Sequence, residues 1–292
     1  VRWVGQPAPP PPPPKKAKGC FTVVLVVMGV SMSCCCLAGM LVVAGEESGG
    51  SFDPISAIAG PETPLGRAVV PADLAAGLER THRFRSRQRY SVGYGISSEV
   101  HGEVDAAHEA LAQKFQYKSA GVGQPFTWVP PLGCGGNPWG CVFQDTARDS
   151  DDNIAPLTEL FRQRSTAAGL DARATAELVV NFVQNIKYRL PTETYFELLP
   201  PELVVADGSG DCDSKSLLAA MILRDLGVET AMLYSRSYAH AALGVALPGT
   251  GKAFMSGRKK FLYVESTYPG WAIGTVPPQY ENAKLWEVLP LR

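Results

Sequence analysis

Three side chains of the types used in nucleophilic catalysis stand in the second half of this 292-residue chain: Cys212, His240 and Glu265. Cys212 lies in a glycine-rich stretch, Gly208-Ser209-Gly210-Asp211-Cys212-Asp213-Ser214-Lys215-Ser216, that runs into Leu217, Leu218, Ala220, Met221, Ile222, Leu223 and Leu226. Apolar residues at three- and four-residue steps, closed by Gly227, predict a buried helix that starts at the cysteine. Unpaired N–H groups and the dipole at that end favour negative charge, so the position predicts a thiolate. A thiolate attacks a carbonyl carbon, an imidazole takes and returns the proton, and a carboxylate fixes the imidazole tautomer. Cys212 fits the first role, His240 the second and Glu265 the third. Backbone N–H groups at the helix start, that of Cys212 included, would meet the oxyanion. Asp211 and Asp213 read as helix caps.

The elements that must position these groups can be read from hydrophobic period. Asp171 is a fair N-cap for a helix whose apolar face is Ala174, Leu178, Val179, Phe182, Val183 and Ile186. Residues 192–207 read as an irregular connection. After the cysteine helix the period changes to alternation. Strands are expected over Glu229–Tyr234, Tyr238–Leu247 with His240, and Phe261–Glu265, separated by glycine turns. A helix followed by antiparallel strands is an α+β layout. Upstream, residues 90–100 alternate as a strand, residues 103–117 look helical, and Arg80, Arg83, Arg85, Arg87 and Arg89 form a basic cluster. Such a cluster suits an anionic surface, though a solvated face is its commoner meaning.

Four segments carry a family resemblance: Asp171 to Arg189, Pro200 to Leu233, Tyr238 to Leu247, and Phe261 to Pro277. Together they resemble the core of the transglutaminase-like superfamily over roughly residues 155–280. The Gly-Asp-Cys-Asp element before an apolar helix is the specific part. The resemblance implies a papain-like fold and a Cys–His–acid triad in this order, with Cys212, His240 and Glu265 as nucleophile, base and orienting acid. Glu265 departs from the aspartate most common there. The implied chemistry passes through a thioester on a protein or peptide substrate, resolved by water in a cysteine peptidase or amidase. The alternatives are a protein-crosslinking acyltransferase and an inactive binding or scaffold module.

Phe21 to Ala44 is an almost unbroken apolar run, long enough to span a bilayer as a helix. Lys15, Lys16 and Lys18 precede it and Glu46 and Glu47 follow it. The expectation is a single-pass transmembrane anchor with a cytoplasmic N-terminus and an extracytoplasmic body. The domain reading is then a Pro-rich, basic tail (1–20), the membrane span (21–44), a linker (45–79), an extension of unplaced type (80–154) and a transglutaminase-like domain (155–292). Residues 7–14 hold Pro-Ala and six prolines, a polyproline II spacer that could also attract an SH3-type partner.

A formal net charge of −1 gives no general pull toward nucleic acid. Cys134 and Cys141 bracket a Gly/Pro/Trp loop and could pair in an oxidising setting. A zinc site there lacks two further ligands, and Asp149, Asp151, Asp152 and Asn153 lack the calcium-loop pattern. No cofactor or metal is expected.

Overall fold

Residue alternation builds the first sheet. β1 (Glu62–Val70), β2 (Leu78–Ser86) and β3 (Gln88–Ile96) pair in the order β1-β3-β2. In β2, His82, Phe84 and Ser86 are buried while Arg83 and Arg85 face solvent. Arg83 and Arg85 of the basic cluster are therefore on the outer face of a hairpin, with Arg83 paired to Glu62 at 3.5 Å and Arg87 to Glu177 at 3.4 Å, while Arg80 donates to the Ala206 carbonyl at 3.3 Å. The computed structural model describes residues 61–71, 77–121 and 124–292. β1 lies inside the stretch expected to be linker, and it runs parallel to β3.

α1 (Ser98–Lys114) starts where the Ser97 hydroxyl oxygen accepts the Val100 N–H at 3.1 Å. A short antiparallel pair follows, β4 (Lys118–Ser119) with β5 (Phe126–Thr127). Cys134 and Cys141 are joined in a disulfide just before and within the start of α2 (Trp139–Ala167). The expected boundary between residues 154 and 155 falls inside this one helix, and the described residues belong to one compact unit. α3 (Ala172–Gln184) is capped as read, the Asp171 carboxylate accepting the Ala174 N–H at 2.7 Å. β6 (Lys187–Tyr188) and β7 (Ser209–Gly210) pair in parallel around α4 (Pro201–Asp207), a helix inside the expected irregular connection. α5 (Cys212–Asp225) follows at once.

The last strands are β8 (Thr230–Ser235), β9 (His240–Val245), β10 (Ala253–Ser256), β11 (Lys259–Val264) and β12 (Glu287–Pro290). They form an antiparallel sheet in the order β10-β11-β9-β8-β12. The sheet curls until its two edges touch, with the Phe254 ring 5.7 Å from that of Trp286. Alternation divides the strands between two cores. Met232, Ala241, Leu243, Leu262 and Val264 belong to the main core with α5, while Leu233, Ala242, Tyr263, Tyr280 and Trp286 fill the inside of the curl.

No helix among the described residues is long and apolar enough to cross a membrane. The apolar helix α5 has 14 residues, about 21 Å at 1.5 Å per residue, against roughly 30 Å of hydrocarbon. The long helix α2 carries charges along its length. This overturns the expected transmembrane element and the membrane localisation built on it; the segment 21–44, like the proline-rich tail, lies outside the described residues. The fold class is corrected to a mixed α+β fold with a curled antiparallel sheet.

Candidate active site

The start of α5 is fixed from several sides. Asp211 is its N-cap, and the Ser214 N–H donates both to Asp211 Oδ1 at 3.2 Å and to Asp213 Oδ1 at 2.9 Å. The Lys187 and Arg189 N–H groups donate to the Gly208 and Gly210 carbonyls at 3.2 and 3.0 Å, which pins the turn. Gly208 sits at φ 67°, a left-handed conformation that favours glycine, and the Arg80 side chain packs where a Cβ would stand. From Cys212 to Leu223 every residue of α5 is buried, because β8 and β9 cover one side and α2, α3 and α4 the others. That explains a continuous apolar run in place of a stripe.

Lys215 takes part in this burial. Its Nζ donates to the carbonyls of Ile186 at 2.6 Å, Thr267 at 3.1 Å and Gln184 at 3.5 Å. Burial pulls its pKa down to about 7, against the upward pull of Glu265, Asp211 and Cys212. An ammonium has three N–H bonds for three carbonyls; a neutral amine has two.

His240 opens β9, and the residue before it, Ala239, is held at φ 46°. Backbone strain of this kind clusters at functional sites. The His240 Nε2 bonds Glu265 Oε2 at 3.2 Å, and both side chains are at most 2% exposed. Glu265 also accepts the Tyr263 hydroxyl at 2.9 Å, the Thr267 hydroxyl at 2.6 Å and the Thr267 N–H at 3.0 Å. Burial raises the Glu265 carboxyl, but His240 and Thr267 outweigh it, and the net shift is downward. The acid is thus held as a carboxylate. Tyr280 stacks on the imidazole with centroids 4.5 Å apart, and Trp286 meets it edge-on at 6.0 Å.

Cys212 differs from the expectation. Burial raises its thiol well above the ordinary range, and the neighbouring Asp213 and Asp211 carboxyls raise it further; only the Ala241 N–H at the sulfur opposes them. The two acids are themselves pushed up, burial acting most strongly on each, and their side chains are hydrogen-bonded to one another. Closely spaced carboxyls resist ionising together. The helix dipole therefore loses to burial and to these neighbours, and the resting group is a thiol.

The structure brings His240 and Glu265 into direct contact and sets Cys212 beside them. The sulfur takes its hydrogen bond from Ala241, the residue after His240, and the Ser266 hydroxyl donates to the Cys212 carbonyl at 3.4 Å. Among the described residues no hydrogen bond joins the sulfur to the imidazole. By strand alternation His240 belongs to the inside of the curl and α5 to the opposite face. Cys212 comes to the residue next to His240 because both stand at the first residue of their elements.

Several participants escaped sequence reasoning. Gln184 is 1% exposed and its amide donates to the carbonyls of Glu265 at 2.7 Å and Trp271 at 2.9 Å, tying α3 to the acid. Tyr263 and Thr267 lie two residues from Glu265 and could have been sought there. Tyr280 and Trp286 left no signal, since their approach depends on the return of the chain after β11.

Asp211, Cys212 and Asp213 are the only cluster among the described residues with three ligand atoms close enough for a metal ion. The first-turn N–H groups face the same place and disfavour a cation. No known family model matches the chain, and a comparison with curated proteins finds no match.

Proposed function

We propose that the protein is a transglutaminase-like cysteine hydrolase that cleaves a peptide or amide bond through Cys212, His240 and Glu265. One observation carries this reading: a buried carboxylate, fixed by Tyr263 and Thr267, holds His240 by Nε2, and the N–H of the next residue, Ala241, bonds the sulfur of a buried cysteine at a helix start. That bond leaves Nδ1 for the thiol. His240 accepts the thiol proton as sulfur attacks the carbonyl carbon, and Glu265 stabilises the imidazolium. The Ser214 N–H is occupied by two carboxyl oxygens, so the Cys212 and Asp213 N–H groups are the first-turn donors for the oxyanion. The proton passes to the leaving amine as the C–N bond breaks, giving a thioester. Water then adds its oxygen to the acyl carbon, His240 takes its proton and returns it to sulfur, and the acid leaves. Because the thiol rests protonated, the proton moves as substrate binds.

A second reading, a binding module without catalysis, is favoured by the burial of Cys212, which is 1% exposed, and by its raised thiol. Incubation with a p-nitrophenyl acyl ester separates the two. The hydrolase releases nitrophenolate and gains one acyl group at Cys212, and Cys212→Ala abolishes both. Equal acylation of wild type and Cys212→Ala would remove the catalytic reading.

A further inference from the structure

A pocket of about 430 Å³ is lined by four aromatic residues, Phe126, Trp128, Trp139 and Tyr234. Tyr234 ties it to the candidate active site. It pairs with Ala241 across β8 and β9, and the Ala241 N–H bonds the Cys212 sulfur. Directly opposed residues of an antiparallel pair point to one face, and Tyr234, Ala241 and Cys212 share the main core. The tyrosine ring therefore stands on the sulfur's side of the sheet, one strand over from the residue that touches it.

The walls are held by their own packing. Trp139 stacks on Tyr234 at 5.9 Å, and Trp128 meets Trp139 edge-on at 5.3 Å. Behind them lies Phe196, fully buried and held at φ 60°, with its ring 5.6 Å from Trp128, 6.3 Å from Trp139 and 6.4 Å from Phe126. A residue other than glycine keeps such a conformation only where its surroundings over-determine it. Further along, the Leu199 N–H donates to Ser214 Oγ at 2.9 Å, which ties this wall to the first turn of α5. The Cys134–Cys141 disulfide closes the loop that supplies another part of the lining. Two exposed lining residues, Arg236 and Glu287, carry one charge of each sign, so the pocket offers ring faces and edges without a net charge.

We propose that this pocket takes a neutral aromatic side chain of the acyl donor, close to the bond that is cut. Ring binding stands on the geometry of the pocket alone; its role toward the acyl donor rests on the hydrolase reading. An aromatic guest meets Trp128, Trp139 and Tyr234 edge-to-face or offset, which favours a ring over an aliphatic chain beyond the area each buries. A charged guest would find no net opposite charge.

The test has two arms. In the first, calorimetry on the full-length Cys212→Ala protein compares N-acetylphenylalaninamide with N-acetylleucinamide and with the anionic N-acetyl-4-carboxyphenylalaninamide. The phenylalanine amide should bind at least about threefold more tightly than either, the scale of one aromatic pair, and adding Trp128→Ala should remove its advantage over leucine. Should that variant fail to fold, Trp128→Leu carries the comparison. In the second arm, wild type cleaves S-ethyl thioesters of N-acetylphenylalanine and N-acetylleucine, read by released thiol. There kcat/KM should favour the phenylalanine thioester at least about threefold, and the Trp128 variant should lose that ratio. Equal binding of the phenylalanine and leucine amides, tighter binding of the anionic ring, or a preference that survives loss of the Trp128 ring would each overturn the pocket. Ring binding in the first arm without ring preference in the second would overturn its role toward the acyl donor. No cleavage of either thioester would overturn the hydrolase reading and that role together, with the first arm still deciding the pocket.

Discussion

Glu265→Gln removes the charge at the centre of the site and keeps its shape. The carboxylate now accepts four hydrogen bonds, from His240, Tyr263 and two from Thr267. A glutamine oxygen can keep the Thr267 pair. Its amide nitrogen would then face the Tyr263 hydroxyl and His240 Nε2, so donors meet donors. The hydroxyl can rotate, but the imidazole must change tautomer, which puts its proton on the nitrogen meant to receive one. In a serine protease triad the equivalent Asp-to-Asn change lowers turnover about 10⁴-fold, or roughly 5 kcal/mol. Stability should move far less. Bonds to a charged group are each worth about 1 kcal/mol more than neutral ones, while burying a neutral amide relieves several kcal/mol of charge desolvation. The expected net change in unfolding free energy is within about 2 kcal/mol of zero. The sign with pH also follows. The folded pKa of Glu265 lies below its unfolded value, so its contribution is present above that unfolded value and lost as pH falls through the folded one. The variant should lack that acid limb. The assays are nitrophenolate release and denaturant unfolding across pH. Acylation within threefold of wild type would refute the orienting role, and a parallel loss of activity and stability would make Glu265 a structural residue only.

The raised thiol predicts that iodoacetamide alkylation of Cys212 keeps rising with pH above about 9, the ordinary cysteine range being near 8.5; a plateau at neutral pH would show a preformed thiolate instead. Lys215→Met leaves three buried carbonyls without their donor, and at about 1–3 kcal/mol for each unpaired group it should destabilise the fold by at least about 3 kcal/mol. Since burial lowers the Lys215 pKa to about 7, the unfolded chain binds more protons above that pH, and the wild-type lysine should add stability as pH rises from about 7 toward its unfolded value near 10.4. Tyr280→Ala uncovers the imidazole and should speed alkylation of Cys212 about tenfold, the lost ring stacking contributing only about 1 kcal/mol to stability; an unchanged rate would show that Tyr280 is not the cover.

Parts of this architecture were legible because they depend on neighbours in the chain. The Asp171 cap, the Cys212 helix and the strands around His240 and Glu265 each announce themselves by period or by a capping residue. β1 did not, because its partner β3 lies beyond an intervening strand and its own sequence, with Pro64 and Gly66, reads as connection. The cut at residue 154 falls inside α2, whose Asp149–Asn153 stretch lies in mid-helix, where Glu202 and Arg224 meet it. The thiol's protonation was hidden for a different reason. Position along a helix is a local property, whereas burial, and with it the upward shift of Asp211 and Asp213, arises only once α5 is enclosed. Lys215 likewise has the sequence signature of an exposed first-turn residue, and only the carbonyls of Ile186, Thr267 and Gln184 make it internal.

The most direct measurement compares acylation of Cys212 by a p-nitrophenyl ester, read by intact and peptide mass spectrometry, in wild type and His240→Ala. If sulfur is activated by the imidazole held on Glu265, one acyl group appears at Cys212 and the His240 variant reacts at least about a hundredfold more slowly. Equal rates in the two proteins would contradict that claim.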